Sequence, residues 1–397
     1  LMIRRPPRST PSNSSAASDV YKRQKNCAST IQRVLAAVDE GLARFFPTRK
    51  SLIVVSDGFS TDGTRELAAE VSTRAGKLVL TQRGGPGKGV GVRTILQVAE
   101  EKQARAIALV DGDLLSLKPD WVRLLLQPIL GGAELVVPLY LRHPHDGVIT
   151  NHVVYPLVNV LFGLGVRQPI GGEFALSGKL AGRLLEDPLF PDKFGIDIFI
   201  TVVGAVEGGR VVEAALGVKE HESTKQYADP EALLVPMFHQ VAGTLFRLVH
   251  HFRDHVKRVR KVQAVPRVGE LPPFEPSPVP VDEGRLLLRF RSLVEERIAG
   301  KDTFLGPLAE RVEQLSRMPL SSLEFPVSLW AEALYRAIGA FPRSPEDTLC
   351  VLEPLWQGRY LAFVRETKGL TVPEAESRIC GQVSEFWKLR SLLEQLL

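Results

Sequence analysis

Two acidic residues separated by a single glycine are the most informative feature of the chain. Asp111 and Asp113 end the segment ARAIALVDGD, in which a short apolar run gives way to glycine and acids. Carboxylates at the end of a buried strand can hold a hard divalent cation and leave coordination positions for diphosphate oxygens. Acidic pairs also end many strands without binding a metal, so the spacing alone leaves an ordinary strand end open.

Two glycine-containing segments could supply a nucleotide pocket. Residues 56–64, SDGFSTDGT, offer Ser56 and Asp57 to a base or ribose, or else form only an Asp/Gly turn. Residues 84–94, GGPGKGVGVRT, combine close backbone approach with Lys88 near a helix start, which suits phosphate. Gly89 stands where a Walker A loop has Ser or Thr, so that motif is excluded, and a flexible loop remains the alternative.

Three further polar residues stand in short segments beside glycine or apolar runs. Glu173 lies in RQPIGGEFALSG, Asp197 in KFGIDIFITVV and His221 in GVKEHES. A single acid in such a place usually serves as a structural hydrogen-bonding group, and a single histidine is usually a surface residue. The residues alone therefore do not assign these three a role in chemistry.

The elements that must position these residues alternate between helix and strand. Apolar periodicity predicts helices over residues 29–46, 60–76 and 91–104, and strands over residues 51–58, 77–82 and 104–110. This alternation predicts an α/β fold with a mostly parallel sheet flanked by helices, whose ligands bind beyond the carboxyl ends of the strands. The loops at residues 56–64, 83–91 and 111–113 can then meet in one crevice.

The character of the chain changes after about Tyr227. We expect a helical C-terminal domain over residues 228–397, with a Pro-rich linker near residues 262–283 that cannot be helical. The preceding α/β domain then spans residues 25–227. The amphipathic helices of the second domain suit an internal lid, a homodimer interface or a cap over an acceptor equally well.

Composition excludes several classes of protein. Among the 397 residues, no stretch approaches the roughly 18 uninterrupted apolar residues of a membrane span. Three scattered cysteines do not make a disulfide framework, and they predict a reducing, cytoplasmic location. The pI of about 9.1 comes mostly from residues 1–24, which hold five Lys/Arg and one Asp, so we expect no nucleic-acid partner.

The opening segment differs from the rest of the chain. Residues 1–24 are rich in Ser, Pro and Arg, show no periodicity and contain no signal-peptide core. They resemble a translated sequencing-adapter read-through, with a natural disordered tail as the alternative. We expect this segment to replace the first strand of the α/β domain, and activity to be reduced for that reason.

The order of the motifs resembles a known family. SDGFSTDGT, GPGKG, VDGDLLSLKPDWV, QPIGGEFALSG, FGIDIFITVV and VKEHES follow one another as in the mannosylglycerate synthase and glucosyl-3-phosphoglycerate synthase family. These are retaining, metal-dependent glycosyltransferases of the GT-A fold, related to family 2. The resemblance covers roughly residues 25–225. It implies a nucleotide diphosphate sugar donor, a UDP-glucose or GDP-mannose type, and a small acceptor such as glycerate or 3-phosphoglycerate, giving a compatible solute.

The resemblance also implies roles for individual residues. Asp111, Asp113 and His221 match the ligands of a divalent metal, Mg²⁺ or Mn²⁺, and Lys88 and Asp111 match residues at the nucleotide. Glu173 and Asp197 match acids that line the sugar pocket, where they orient sugar and acceptor. The acceptor-binding residues implied are Arg142, Gly147 and Thr150, in the segment LRHPHDGVIT.

Two other functions stay open from the sequence. One is an inverting family 2 transferase for a lipid or polysaccharide acceptor, with Glu173 or Asp197 as general base. The other is a non-catalytic sugar-nucleotide sensor whose helical domain binds a partner. Hydrophobic helices are absent from the sequence, which disfavours the first, and the complete DGD motif with its downstream histidine disfavours the second.

Overall fold

The computed structural model describes residues 2–4, 26–222, 230–273 and 276–397. The chain forms two compact units. The first unit consists of Leu1–Leu141, Arg167–Val241 and Val265–Pro273. The second consists of Arg142–Val166, Ala242–Ala264 and Phe274–Leu397.

The first unit alternates strands and helices, as the sequence predicts. Its elements are β1 (Met2–Arg4), α1 (Ile31–Phe45), β2 (Leu52–Gly58), α2 (Thr64–Glu70), β3 (Gly76–Thr81), α3 (Lys88–Glu101), β4 (Ala106–Leu109), α4 (Pro119–Leu130), β5 (Leu135–Leu141), β7 (Phe174–Ser177), α6 (Gly178–Glu186), α7 (Ile196–Val203), β8 (Val211–Val218) and β10 (Arg267–Val268). The long helix α8 (Pro230–His251) has residues in both units.

The strands form a three-stranded sheet in the order β1-β2-β3 and a five-stranded sheet in the order β10-β8-β5-β7-β4. Within the described residues β7 alone runs antiparallel to its neighbours, β4 and β5. The predicted α/β fold with a mostly parallel sheet is therefore confirmed. Because β7 is reversed, its amino end lies at the same edge as the carboxyl ends of β4, β5 and β8.

Helix α1 shows why the flanking helices pack. Ile31, Val34 and Leu35 recur at helical spacing and are completely buried. Full burial of such a side chain stabilises the fold by about 1.5–3 kcal/mol. At Gly41 a Cβ atom would lie 2.7 Å from a methyl carbon of Val122 on α4, so glycine permits the two helices to approach closely. This packing fixes α4, and α4 follows directly after the DGD loop.

The opening segment contains a short strand that the sequence does not predict. Met2–Arg4 pairs in parallel with β2, with Met2 opposite Ser56 and Arg4 opposite Gly58. The expectation that residues 1–24 are without regular structure is wrong for these three residues. Without β1, β2 would be an edge strand, and the unpaired backbone groups of an edge can be satisfied by any extended segment. Residues 5–25 lie outside the described residues.

The second unit is helical, which confirms the predicted helical C-terminal region. It contains a π-helical turn (Thr150–Val154), α5 (Tyr155–Phe162), β6 (Leu164–Gly165), α9 (Arg253–Arg258), β9 (Gln263–Ala264), α10 (Glu283–Arg297), α11 (Leu308–Arg317), α12 (Val327–Ala340), α13 (Pro345–Glu366), α14 (Val372–Lys388) and α15 (Arg390–Leu396). Over its described residues, 262–273 and 276–282, the Pro-rich linker is not helical, and it holds β9 and β10. Across the described ranges, no helix combines the length and the apolar character needed to cross a bilayer.

The division of the chain differs from the predicted boundary at residue 227. Residues 142–166 fall inside the predicted α/β domain but belong to the helical unit. The reason is the apolar segment Tyr155–Phe162, in which every residue is buried. A helix that is buried all round needs apolar partners on several sides, and the C-terminal helices provide them: Tyr155 packs with Phe363 and Ile379.

Candidate active site

A short backbone pairing brings two distant segments together beyond the carboxyl ends of β4 and β8. Leu114 and His221 form an antiparallel bridge. The amide of Leu115 donates to the carbonyl of Glu220 at 2.9 Å, and the amide of Glu222 donates to the carbonyl of Asp113 at 3.1 Å. The positions of Asp113 and His221 are therefore set by main-chain hydrogen bonds and not by side-chain contacts alone.

Three side chains converge at this pairing. Asp111, Asp113 and His221 each offer one ligand atom, and these atoms lie within 4.8 Å of one another. The Nδ1 atom of His221 is 3.4 Å from Oδ1 of Asp113. In the described part of the chain this is the one group of three or more such residues with that geometry. Two carboxylates and an imidazole form a donor set that suits Mn²⁺ or Mg²⁺, so the triad is a candidate centre for a divalent metal.

Two lysines surround the first acid of the triad. Asp111 Oδ1 lies 3.7 Å from Nζ of Lys88, and Oδ2 lies 4.0 Å from Nζ of Lys219. Burial acts to raise the pKa of Asp111, but the two ammonium groups outweigh it and hold that pKa below its usual range. Burial likewise acts to lower the pKa of Lys88, and the carboxylates of Asp111 and Asp197 raise it instead. Asp111 and Lys88 therefore both stay charged at neutral pH.

The two predicted sugar-pocket acids are each paired with one of these lysines. Glu173 is completely buried and accepts hydrogen bonds from Lys219 and from the hydroxyl of Tyr140. Its second oxygen, Oε1, is buried and has no hydrogen-bond partner among the described atoms. Asp197 accepts from Nζ of Lys88 at 2.7 Å. Burial raises the pKa of both carboxyl groups, against the opposing effect of the lysine beside each.

Glycines permit the close approaches that this arrangement needs. A Cβ atom on Gly89 would lie 1.7 Å from the carbonyl oxygen of Pro191, and one on Gly87 would lie 1.9 Å from that of Asp192. These contacts fix the start of α3, where Lys88 is the first residue. Gly172 has a φ of +98°, and its Cβ atom would lie 2.9 Å from Asp111 Oδ2 and from Lys219 Nζ.

The predicted nucleotide residues on β2 are buried at its carboxyl end. Asp57 accepts hydrogen bonds from the amides of Phe59 and Ser60 at 3.1 Å, an arrangement that shapes the turn. Phe59 has a φ of +72°, so the turn is held in a conformation that L-residues rarely adopt. Ser56 Oγ is buried with no hydrogen-bond partner among the described atoms. Contact of either residue with a nucleotide stays a prediction.

The predicted acceptor residues lie together in the second unit. Arg142 Nε is 2.9 Å from Oδ2 of Asp146, whose Oδ1 accepts from the amide of Gly147 at 2.7 Å. Gly147 has a φ of +68°, and a Cβ atom there would lie 3.7 Å from a guanidinium nitrogen of Arg142 and 3.8 Å from Thr150. The three residues that the resemblance singles out are therefore neighbours in one segment of the chain.

Sequence reasoning missed Lys219 and Tyr140. Lys219 lies two residues before His221, directly after β8, so the two side chains point to the same side of an extended segment. That spacing is the signal that identifies it. Tyr140 lies within the apolar strand β5, opposite Gly217, and no feature of the sequence distinguishes it from a core residue. The ammonium group of Lys219 also lies 5.1 Å from the ring centre of Tyr140.

The chain is similar to several known proteins. Residues 20–174 match the model of the family Glycosyl transferase family 2. Mannosylglycerate synthase from Rhodothermus marinus is 26% identical over 335 residues, which cover 78% of this chain and 81% of that protein. Glycosyltransferase AglJ from Haloferax volcanii is 32% identical over 190 residues, 46% of this chain and 56% of that protein.

The chain is also similar to a solved structure that contains ligands. Glucosyl-3-phosphoglycerate synthase from Mycobacterium tuberculosis, in complex with Mn²⁺, UDP-glucose and phosphoglyceric acid, is 24% identical. The alignment covers 63% of this chain and 87% of that chain, with a TM-score of 0.46. The part of the chain that matches the glycosyltransferase family 2 model therefore includes Lys88, Asp111, Asp113 and Glu173 of the charged site at the strand ends.

Proposed function

We propose that the protein moves a hexose from a nucleotide diphosphate sugar to a small hydroxylated acid such as glycerate or 3-phosphoglycerate, with retention at the anomeric carbon. The observation that carries this proposal is the set of Asp111, Asp113, His221, Lys88 and Lys219 at one edge of the sheet. The activity named for the Rhodothermus relative supports the choice of acceptor class.

The donor would bind through its diphosphate. Asp111, Asp113 and His221 would hold a divalent ion, which supplies positive charge for a departing nucleoside diphosphate. Lys88 is the first residue of α3, its side chain is 12% exposed, and neighbouring carboxylates keep it charged. A cation fixed in this way at a helix start stabilises charge as it develops on the leaving group, without reorganisation.

The state of the acids supports retention. Glu173 and Asp197 each accept a hydrogen bond from a lysine, so proton transfer to either carboxylate would compete with that pairing. In the proposed reaction the bond from the anomeric carbon to the diphosphate oxygen breaks and a bond to the acceptor oxygen forms. The acceptor's proton passes to the released phosphate oxygen. Glu173 and Asp197 orient the sugar, and their lysines stabilise the charge on the leaving diphosphate.

The acceptor would bind to the loop that contains Arg142, Gly147 and Thr150. A guanidinium group pairs with a carboxylate through two parallel hydrogen bonds, which suits the acid group of a hydroxy acid. Arg142 pairs with Asp146 through Nε, and an incoming carboxylate would compete for this guanidinium. Thr150 offers a hydroxyl within the same loop.

The test is release of nucleoside diphosphate from UDP and GDP sugars, with glycerate or 3-phosphoglycerate, with and without Mg²⁺ or Mn²⁺. Release should require one donor, one acceptor and the metal, and at a metal concentration that just saturates the unaltered protein it should fall sharply in Asp113→Asn. The matched control is Asp120→Asn, which removes an exposed acid paired with Arg123 and should leave release unchanged.

Two results would contradict the proposal. Binding of a sugar nucleotide without turnover, under every acceptor and metal condition, would mean a sensor and not a transferase. An inverted anomeric linkage in the product, read by NMR, would exclude retention and assign a base to Glu173 or Asp197.

A further inference from the structure

The acceptor loop ends in an irregular helical turn. Thr150–Val154 is π-helical, and it continues directly into α5. All five residues are buried, with His152 completely so. A π turn is less stable than an α-helical one and persists where neighbouring groups hold it, often at functional sites. The groups that hold this turn therefore matter for the loop.

Helices from the C-terminal part of the chain supply these groups. Gln382 on α14 donates from Nε2 to the carbonyl of Asn151 at 3.1 Å, and its Oε1 lies 3.3 Å from Nδ1 of His152. Trp330 on α12 donates from Nε1 to the carbonyl of His152 at 2.6 Å. The ring of Phe363 on α13 packs against the imidazole, with centroids 4.7 Å apart. Three helices thus hold two consecutive residues.

The same hydrogen-bond network continues into the acceptor loop. The Asn151 side chain donates from Nδ2 to the carbonyls of Pro144 and Asp146, both at 2.9 Å. The Asp146 carboxylate in turn holds Arg142 and the amide of Gly147. Gln382 therefore fixes the backbone of a residue whose side chain sets the shape of the loop.

We propose that Gln382 is a positioning residue for the acceptor, and that the C-terminal helices set acceptor affinity by holding Asn151 and His152. The proposal rests on the proposed function in one respect, the binding of the acceptor by the loop at residues 142–150. Gln382 touches no predicted substrate group, and it acts through Asn151. Its loss should loosen the loop without changing the donor site.

The experiment compares two buried glutamines changed in the same way. Gln382→Met removes the hydrogen bonds to Asn151 and His152, together with one to the carbonyl of Ile379 in its own helix, at nearly constant volume. Gln357→Met is the matched control, because Gln357 on α13 is equally buried and donates to Glu353 at 3.3 Å, away from the loop. Hydrogen–deuterium exchange at residues 147–154 reports the hold on the loop, and steady-state kinetics report KM for acceptor and for donor.

We expect faster exchange at residues 147–154 in Gln382→Met only, with acceptor KM raised roughly three- to tenfold, the net effect of one or two neutral hydrogen bonds. Donor KM and donor hydrolysis without acceptor should match those of Gln357→Met. If hydrogen–deuterium exchange at residues 147–154 is the same in Gln382→Met and in the control, Gln382 does not stabilise the loop, whatever the activity. Faster exchange with an unchanged KM for the acceptor would mean that Gln382 has no role in acceptor binding. Absence of any transfer by the unaltered protein would contradict the proposed function alone.

Discussion

The buried pair of Lys219 and Glu173 allows a quantitative prediction. The Glu173 side chain is fully buried and that of Lys219 is 3% exposed, so Lys219→Met leaves a buried carboxylate whose remaining donor among the described atoms is the Tyr140 hydroxyl. Breaking a buried ion pair on one side costs about 3–5 kcal/mol of unfolding free energy. For a unit of this size, about 2–4 °C per kcal/mol gives a Tm lowered by about 6–20 °C.

The assay is thermal unfolding of four proteins: the unaltered chain, Lys219→Met, Glu173→Gln and the double variant. The double variant should recover most of the loss, since an uncharged amide replaces the unpaired carboxylate, and the coupling free energy should be about 0.5–3 kcal/mol. Lys179→Met is the control, because it removes an exposed pair with Glu134 and should change stability by less than about 1 kcal/mol. A Tm of Lys219→Met within 3 °C of the control would refute the reasoning.

Three further predictions follow from the described contacts. Asp113→Asn should raise the Mn²⁺ concentration for half-maximal activity at least about tenfold, as a metal titration would show, because an amide is a weaker ligand than a carboxylate. Gly89→Ala should cost about 1–3 kcal/mol in urea unfolding, since its Cβ would lie 1.7 Å from the carbonyl of Pro191, whereas Gly85→Ala, with open space around it, should be neutral. Burial lowers the pKa of His145 to about 4, so the folded protein favours the neutral imidazole. The free energy of unfolding is therefore at its full value above pH 6.5, and it decreases as the pH falls towards 4. His145→Gln should remove that part of the pH dependence in urea unfolding between pH 7.5 and 5, and an unchanged profile would disprove it.

Much of the first unit could be predicted from sequence because local patterns decide it. The strand at β2 and the acids after β4 follow from apolar runs that end in Gly and Asp. His221 could be placed beside Asp113 only through the family resemblance, since the backbone bridge that joins them spans more than a hundred residues. Lys219 carried a usable signal in its spacing from His221. Tyr140 has no such signal in the sequence, because a core residue of a strand and a strand residue that faces a buried acid lie in the same kind of apolar run.

The unpredicted features arise from long-range packing. Helix α3 begins at Lys88, three residues before its predicted start, because Gly87 and Gly89 allow contact with the carbonyls of Asp192 and Pro191. The reversed direction of β7 depends on its partners and not on its own residues. Similarly, assignment of residues 142–166 to the helical unit depends on helices more than 150 residues away, whose sequence gives no sign of which segment they cover.

The buried helix α5 has a consequence for synthesis of the protein. Its partners Phe363 and Ile379 leave the ribosome about 200 residues after it, and at roughly 5–20 residues per second that delay is about 10–40 s. Throughout this interval the apolar sequence YPLVNVLF has no native partner from the C-terminal helices. The nascent chain therefore presents a typical target for a chaperone, and the order in which its two units mature is set by the position of one short helix in the gene.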